Sequence, residues 1–591
     1  MNRRPGQLPR QRRMFRRRMI RCARVGACVL VMGALAGCGI VPTSFLAQVP
    51  VSGPIEQGAP LDLTPANQFI RVLARAPRPG MTPTQIVQGF LDASASFDGD
   101  HAVAREYLTD AANADWNPGA GVQVYDQLPL LTATGTSVRL SAPQAGRIAG
   151  DGTYSVASPG SLLDLNFTME LQDEQWRIAR LPAGLVLASS DVDRSFRALN
   201  VYFFNPDFTS LVPDGRLIPV VGTGQPTTLV RYLLRGPSTW LSPAVQTGFP
   251  SGVALNLESV PVEAGVARVD LTAEAALTDD DTRRAISQQV VWTLRQVPGV
   301  TAVAITVNGQ PLTVPGVANP QPRDAWPQVD PSALPEPSFG YLTRNRTIVR
   351  VTEQGQRAMP GIAGSGETTL VELAVARNSR RVAGLDAQGT LWVGPLEPET
   401  PVREVLSGRP LSSIAFGPQG TVWAMDARDG LIEVTEDGRL RSISVQGLPR
   451  GALLRSAIPS RDGTRCALVI QQDSGSSVLL ARIIRARSDG SLSITGPRRV
   501  EGTLTQVVDA SWSGAGELAV LGGPDFESIS VWSIDLTRGT ASDRGGPAAA
   551  VTVAAAPGHP LLVGAGDGYV YGYRAAGWAS VGDGTAPAYP G

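Results

Sequence analysis

A weak repeat in the carboxy-terminal part of the chain limits its possible folds more than any other feature. The segment DAQGTLW, from Asp386 to Trp392, recurs as DARDGLI from Asp426, a spacing of 40 residues. A short strand of small residues followed by a turn also recurs, at residues 415–420, 457–463, 511–516 and 554–558. Repeats of about 40–45 residues with four short strands each are typical of β-propeller blades. We therefore predict a β-propeller of about six blades over residues 339–591.

The segment just before the propeller is rich in proline. Residues 315–338 contain seven prolines, and we predict a semi-rigid linker there. The whole chain has 64 Gly, 47 Pro and only 6% aromatic residues, a composition that favours β-rich, turn-rich domains. With 591 residues the chain is too long for one hydrophobic core, so several domains are expected.

The amino terminus has the three regions of a secretory signal. Ten arginines and no acidic residue precede residue 25, and residues 25–37 are apolar or small. A membrane-spanning helix needs about 20 apolar residues, so this shorter run predicts a signal peptide over residues 1–37 rather than a span. The sequence Leu35-Ala36-Gly37-Cys38 follows.

Leu-Ala-Gly-Cys at the end of such a run resembles the lipobox of bacterial lipoproteins. The resemblance implies cleavage between Gly37 and Cys38, with Cys38 becoming an N-palmitoyl, S-diacylglycerol cysteine. The alternative is an ordinary signal peptide that contains a cysteine. Residues 38–80, punctuated by proline, would then be a tether that holds the protein at the extracytoplasmic face of the cell membrane.

Residues 81–195 begin with helical signals and continue with strand signals. Thr82 and Gln85 have the spacing of a capping box, Pro83 fits the first helical position, and Ile86 and Phe90 belong to an apolar stripe. Strand-like segments follow at residues 122–125, 136–140, 163–171 and 175–181. Helices followed by an antiparallel sheet resemble the NTF2-like α+β cone.

Residues 196–314 alternate strands and helices. The helix of residues 229–234 is expected to stop before Gly236, a second helix is expected at about 281–296, and Asn308-Gly309 predicts a tight hairpin turn. The segments VYFFNPD, LLRGPS, GVARVDL and VTAVAITVNG resemble the GerMN domain of spore-germination and sporulation proteins. This resemblance implies a small α/β binding or assembly module without a known catalytic set.

The composition excludes several chemistries. Every basic residue is arginine, which rules out a P-loop, a Schiff-base lysine and an S-x-x-K acylase, since each needs a lysine. Loss of the ten signal arginines would leave 42 basic against 52 acidic residues, and this negative balance disfavours nucleic-acid binding. His101 and His559 are each expected to be solvated turn or helix-cap residues rather than a base. No catalytic residue, metal ligand or cofactor is predicted.

Three acidic groups could bind cations, but each has a simpler interpretation. Asp279, Asp280 and Asp281 fit a helix amino terminus better than a cation site. Asp191 with Asp193 fits a solvated domain junction. Gly566-Asp567-Gly568 and Gly582-Asp583-Gly584 fit propeller turns better than calcium ligands.

Cysteine and tryptophan are also given structural roles. Cys466, which alone remains after signal cleavage and lipidation, is predicted to be a small buried strand residue. The propeller tryptophans are expected to pack between blades rather than to bind sugar: Trp392, Trp423, Trp512, Trp532 and Trp578.

The order of these segments resembles the actinobacterial LpqB lipoproteins over nearly the full length. The resemblance implies a multidomain α+β and all-β chain: an NTF2-like cone, a GerMN α/β module and a β-propeller. It also implies a non-enzymatic accessory of a two-component system, with the extracytoplasmic domain of a sensor histidine kinase such as MtrB as partner. The alternatives are a wall-active or peptidoglycan-fragment-binding lipoprotein, and a structural element of a larger envelope complex.

Overall fold

The structure, a computed structural model, describes residues 74–220, 224–352, 355–359, 369–486, 488–575 and 577–591. The described residues belong to one compact unit. The predicted signal peptide, the lipidation site Cys38 and most of the predicted tether lie outside the described residues. Within the described residues, no helix combines the length and the apolar composition needed to cross a membrane.

The first domain packs a helix into a curved antiparallel sheet. Helix α1 begins with the predicted capping box, in which the Thr82 side chain accepts the Gln85 N–H and the Gln85 side chain accepts the Thr82 N–H. Phe90 of α1 packs against Phe167 of the sheet and against Trp116. The strand order is β6-β5-β3-β1-β7, and β2 and β4 pair with β3. The elements are α1 (Pro83–Ser94), α2 (Ala102–Arg105), α3 (Asp110–Asp115), β1 (Gly121–Tyr125), β2 (Leu130–Thr134), β3 (Ser137–Ala149), β4 (Tyr154–Val156), β5 (Leu162–Gln172), β6 (Gln175–Arg180), β7 (Leu185–Ala188) and α4 (Ser189–Ser195).

The second domain places two helices against two small sheets. Strands β11 and β12 are parallel, and the crossover between them is helix α6, which buries Ile286, Val290 and Leu294. Asn308 and Gly309 form the predicted hairpin turn, both with positive φ, and β12 pairs with β13 across it. The elements are β8 (Phe196–Phe204), β9 (Leu211–Pro219), α5 (Gln225–Arg235), β10 (Val262–Glu263), β11 (Val266–Leu271), α6 (Asp280–Leu294), β12 (Ala302–Val307), β13 (Gln310–Pro311) and β14 (Gln321–Pro322).

The proline-rich segment differs from the linker expected there, because it completes the core of the second domain. Strand β14 pairs with β12, and Trp326 and Val329 are buried in the same cluster as α6. The Trp326 indole N–H donates to Ser287 (2.9 Å) and Gln321 (3.1 Å). Proline removes backbone donors, but the apolar side chains between the prolines still supply packing surface.

The third domain is a β-propeller of six sheets in the described residues. The carboxy-terminal strand β39 is the innermost strand of the first blade, so the last strand of the chain closes the ring. The first blade contains β15 (Gly340–Arg344), β16 (Thr347–Thr352), β17 (Gly355–Met359) and β39 (Thr585–Ala588), and the second contains β18 (Leu370–Val375), β19 (Arg381–Asp386), β20 (Leu391–Pro395) and β21 (Arg403–Leu406). The third blade contains β22 (Leu411–Phe416), β23 (Val422–Asp426), β24 (Gly430–Val434) and β25 (Leu440–Ser442), and the fourth contains β26 (Ser444–Val445), β27 (Leu453–Pro459), β28 (Arg465–Gln472), β29 (Gly475–Arg485) and β30 (Leu492–Arg499). The fifth blade contains β31 (Gln506–Gly514), β32 (Glu517–Gly523), β33 (Ser530–Asp535) and β34 (Thr540–Asp543), and the sixth contains β35 (Ala550–Ala554), β36 (Leu562–Ala565), β37 (Tyr569–Arg574) and β38 (Gly577–Asp583).

The fold class expected from the sequence is therefore confirmed. An α+β domain and an α/β domain precede an all-β propeller, and strands outnumber helices throughout. The two recurring Asp segments fall at equivalent places, since Asp386 ends β19 and Asp426 ends β23. The repeat is visible because these two blades use the same turn between their second and third strands.

Candidate functional site

The central cavity of the propeller is a large concave feature, with a volume of about 1140 Å³. Its wall is formed by the innermost strand of every blade: β39, β18, β22, β27, β31 and β35. Each of these strands has a register shift near the end where it enters the blade. Such β-bulges redirect side chains and occur often beside functional sites.

One end of the cavity carries exposed aliphatic side chains. Val371, Val508 and Val551 are the extra residues of three bulges and are 51%, 49% and 53% exposed, and Leu453 of β27 is 65% exposed. We call these four residues the aliphatic rim. Grouped exposed apolar residues mark interaction surfaces more often than single ones do.

The other end of the cavity is covered. Arg461 is buried there, and its guanidinium donates to the carbonyl oxygens of Pro590 and Ala333 (Nη2 to Ala333, 2.8 Å). Burial lowers the pKa of Arg461 to about 10, and the charge of Arg377 adds to this effect. Because Ala333 belongs to the proline-rich segment, that segment helps to close this end. The cavity is thus a funnel that opens at the aliphatic rim.

Two carboxylates in the funnel wall join neighbouring blades. Glu372 accepts the backbone N–H groups of Ile414 (2.6 Å) and Ser413 (3.1 Å) from the next blade. Burial raises the pKa of Glu372 to about 7, against the opposing effect of these hydrogen bonds. Asp509 accepts the Thr552 hydroxyl (2.6 Å) and the Val553 N–H (2.9 Å), and burial raises its pKa as well.

These wall carboxylates act as inter-blade ties. Glu372 accepts the N–H groups of Ser413, the extra residue of the next blade's bulge, and of Ile414, and Asp509 accepts the N–H of Val553, two residues beyond the bulge residue Val551. Sequence analysis missed both acids, although a signal was present. Glu372 lies in the apolar strand LVELAV and Asp509 in the segment VVDASW, and an acid inside an apolar strand indicates a buried, hydrogen-bonded role.

The two histidines differ from each other. His101 is not the solvated residue that was expected: it is buried, with its ring centroid 4.7 Å from that of Phe97 and 5.8 Å from that of Trp116. Burial lowers its pKa, so the neutral form is favoured. His559 lies half-buried in a turn beside Tyr589, and its pKa is lowered by burial. Neither ring reaches the funnel wall.

The helix-terminal acids are as predicted. Asp279 caps α6, with its side chain accepting the Thr282 N–H (2.8 Å), and Asp280 and Asp281 lie in the first turn. Their ion pairs run to Arg283 and Arg284 on the same helix. The favourable interaction of carboxylates with a helix amino terminus explains this placement.

The junction and turn acids are engaged with neighbours. Asp193 is 65% exposed, as expected for a solvated junction, and forms an ion pair with Arg538 of the propeller at 3.5 Å, and Asp191 pairs with Arg194. Asp567 holds its own turn through the Tyr569 N–H (3.0 Å). Within the described ranges, no group of three or more His, Cys, Asp or Glu side chains could hold a metal ion.

Cys466 and the propeller tryptophans have the predicted packing roles. Cys466 is fully buried in β28, and burial raises its thiol pKa. The Trp512 indole donates to Ile458 of the preceding blade (3.0 Å), and Trp578 donates to Arg544 of the preceding blade (2.9 Å). Trp423 is buried in the core between blades. The other two indoles, of Trp392 and Trp532, donate within their own blades, to Asp386 and Gly522.

Comparison with known proteins agrees with the three domains. Residues 76–193 match the family described as "Lipoprotein LpqB, N-terminal domain", residues 200–313 match "Sporulation and spore germination", and residues 346–590 match "Lipoprotein LpqB beta-propeller domain". Among solved structures, TolB from Acinetobacter baumannii covers 43% of this chain and 66% of its own (15% identity, TM-score 0.30). The first GerMN domain of GerM from Bacillus subtilis covers 22% of this chain and 96% of its own (22% identity, TM-score 0.19).

Two relatives match the chain over nearly its whole length. A protein named Lipoprotein LpqB from Thermobifida fusca is 30% identical over 96% of this chain and 98% of its own. Its namesake from Mycobacterium tuberculosis is 27% identical over 95% of this chain and 98% of its own.

Fold and funnel together define a multidomain β-propeller protein that carries a GerMN-type domain. The propeller supplies a funnel with an apolar opening, and the proline-rich segment before it helps to close the opposite end. The chain belongs to the LpqB lipoprotein family.

Proposed function

We propose that the chain is a membrane-anchored, extracytoplasmic and non-enzymatic accessory protein of a sensor histidine kinase. The kinase would resemble MtrB, and the process would be envelope and division homeostasis. Membership in a lipoprotein family supports an envelope location. The aliphatic rim supports a binding role, and it is the observation that carries the proposal.

The rim fits a protein segment with aliphatic side chains. Its four residues come from four different blades, so a partner would contact several strands at once. Burial of exposed aliphatic surface stabilises a complex by roughly 25 cal/mol per Å² before the costs of association. The funnel is wide enough at 1140 Å³ to accept side chains from such a segment.

The funnel wall supports a role in binding rather than in catalysis. Glu372 and Asp509 are the acids with raised pKa values in this wall. Their carboxylate oxygens already accept hydrogen bonds from backbone N–H groups or a hydroxyl. A carboxylate held in this way is poorly placed to transfer protons to a substrate. A wall-active enzyme would need free acid and base groups.

Membrane attachment at Cys38 would raise the local concentration of the protein near its partner. A lipid anchor confines both proteins to one surface, so weak contacts suffice for association. The substitution Cys38→Ser should therefore release the protein from the membrane fraction and reduce its recovery with the kinase. Unchanged fractionation of this variant would contradict the lipid anchor.

Site-specific photo-crosslinking tests the partner. A photoreactive residue at Val551, in the aliphatic rim, should capture a sensor histidine kinase in membranes. The same residue at Leu440, which is 37% exposed on an outer strand of the third blade, is the matched control and should not. Equal capture from both positions, or capture of other envelope proteins alone, would contradict the proposal.

A peptidoglycan-fragment-binding role is the second candidate. It is favoured by the polar side chains within the funnel, among them Ser413, Ser456 and Thr552, which offer hydroxyl groups to a sugar. Titration of purified protein with muropeptides would test it. Binding that is lost when the aliphatic rim is altered would move the assignment to this class.

A further inference from the structure

A second charged region lies where the second domain meets the propeller. Trp240 of the second domain inserts between side chains of the fourth blade. Its indole N–H donates to the Gly496 carbonyl (2.7 Å), and its own carbonyl accepts from Arg482. The Arg498 guanidinium carbon lies 4.0 Å from the centroid of the Trp240 ring, a cation–π contact. We call this contact region the seam.

The seam contains more cations than its acids can pair. Asp214 is buried and bonds Arg216, and its oxygens also accept the backbone N–H and the hydroxyl of Ser238. Its acceptor capacity is therefore used. Asp462 is likewise buried and bonds Arg465, besides Ser460 and Thr464. Each aspartate thus has its own arginine, and Arg482 and Arg498 are in excess.

Several donors of these arginines have no protein partner. Arg498 is half-buried and, among the described residues, forms no hydrogen bond or ion pair besides its contact with the Trp240 ring, and the buried Nε–H groups of Arg465 and Arg482 have no acceptor. An unmet donor inside a protein costs about 1–3 kcal/mol, more when it is charged. Burial lowers the pKa of Arg498 to about 10 despite the charge of Asp214, and nearby Arg465, Arg216 and Arg482 lower it further.

A small cavity lies among these groups. It measures 20 Å³ and is lined by Asp214, Trp240, Arg465, Arg498 and Thr537, with seven further residues. A space of about 10–15 Å³ or more holds one water-sized particle, so a single water or a monatomic ion fits. Asp214 has no free oxygen to offer it, whereas Arg465 and Arg498 have free donors.

We propose that this cavity in the seam binds one small anion, of the size of chloride, between Arg465 and Arg498. A water molecule would satisfy a donor but leave the surplus positive charge, whereas an anion would satisfy both. The site joins two domains, because Asp214 and Trp240 belong to the second domain and the two arginines to the propeller. Anion binding would therefore stabilise the seam itself.

Thermal unfolding of the full-length protein in detergent tests the site. Sodium chloride is titrated against sodium gluconate at constant ionic strength, since gluconate is too large for the cavity. Chloride should raise the unfolding midpoint in a saturable way, as expected for a ligand of the native state. The Arg498→Met variant keeps an aliphatic chain over Trp240. In this variant the chloride concentration needed for half-saturation should rise at least about tenfold.

The matched control is Arg499→Met. Arg499 follows Arg498 on the same strand, so its side chain faces the other side of the sheet. The Arg499→Met variant should keep the chloride response. Bromide bound to crystals of the unaltered protein gives a second readout that does not depend on the folding of Arg498→Met. An anomalous peak beside Arg498 and Arg465 supports the site. Three results would overturn the proposal. They are a chloride response equal to that of gluconate, a chloride response that the Arg498→Met variant retains, and crystals in which the cavity holds only water.

Discussion

The two faces of the propeller treat charge and apolar surface in opposite ways. On the seam side, charged side chains are buried and directed: Asp462 bonds Arg465, and the Asp462 carbonyl accepts from Asn205 of the second domain. On the rim side, Val371, Val508 and Val551 are about half exposed. The rim residues lie on the innermost strands β18, β27, β31 and β35, whereas Arg465, Arg482 and Arg498 lie on β28, β29 and β30 of the fourth blade.

The difference teaches how one domain can make a permanent and an exchangeable contact. Buried hydrogen-bonded charges are strongly destabilised when a partner is missing, so they suit a contact that forms once, during folding. Aliphatic side chains in water cost little when unpaired, so they suit a partner that arrives later. The seam would then fix the domains, and the aliphatic rim would remain available.

The largest expected effect comes from breaking the buried ion pair beside the seam. Asp214 and Arg216 are 6% and 1% exposed, so Asp214→Asn leaves a buried guanidinium without its counter-charge. We expect a loss of about 3–5 kcal/mol in the free energy of unfolding, measured by urea denaturation.

The control for that loss is an exposed ion pair. The Arg439 Nε atom lies 2.9 Å from the Asp437 Oδ2 atom, and both side chains are more than half exposed. Asp437→Asn should change the free energy of unfolding by less than about 1 kcal/mol. Similar losses in the two variants would mean that burial does not distinguish the seam.

A smaller effect is expected from removing the aromatic ring at the seam. Trp240→Ala deletes the ring under Arg498 and the indole bond to Gly496, at a cost of about 2–4 kcal/mol. Calorimetry should show the single unfolding transition separating into two, because the second domain loses its hold on the propeller. Trp578→Ala, which removes a half-buried indole within the propeller, should lower the midpoint without separation.

Local patterns explain how much of the fold could be predicted from the sequence. The capping box at Thr82, the helix beginning near Asp280 and the turn at Asn308 depend on residues close in the chain. The blade repeat also depends on short segments. The seam could not be predicted in this way, because Trp240 and Gly496 are 256 positions apart.

Two predictions were wrong because composition does not show which side chains pack into a core. Seven prolines in residues 315–338 indicated a linker, yet Trp326 and Val329 between them fill the core of the second domain. His101 was placed in a solvated turn, but Phe97 and Trp116 enclose it. Of the funnel, the sequence indicated the propeller but not its aliphatic rim, because the bulges that expose the valines appear only in the strand pairing.

The pH dependence of unfolding distinguishes the funnel wall from the seam, with an expected effect of about 3 kcal/mol or less. The pKa of Glu372 is raised by burial to about 7, above its usual value near 4.5. Between these values the unfolded chain loses its proton first, so the Glu372 contribution favours folding at low pH and declines as pH rises to about 7. The Glu372→Gln variant should lack this contribution.

The measurement is the difference in free energy of unfolding between Glu372→Gln and the unaltered protein across pH 4.5–7.5. Other groups cancel in this difference. As the pH rises, the unaltered protein should lose stability relative to the Glu372→Gln variant. A difference independent of pH would show that Glu372 is ionised throughout in the folded protein.

The smallest effect on stability, and the clearest on binding, is expected at the aliphatic rim. Val508→Ser and Val551→Ser change half-exposed side chains, so each should alter the free energy of unfolding by less than about 0.5–1 kcal/mol. If the rim contacts a partner, the double variant with the photoreactive residue at Val371, also in the rim, should lose crosslinking to the kinase. Val262→Ser, at a 40% exposed position of the second domain, should retain it. Retained crosslinking in the rim variant would place the contact elsewhere and remove the functional difference between the two faces.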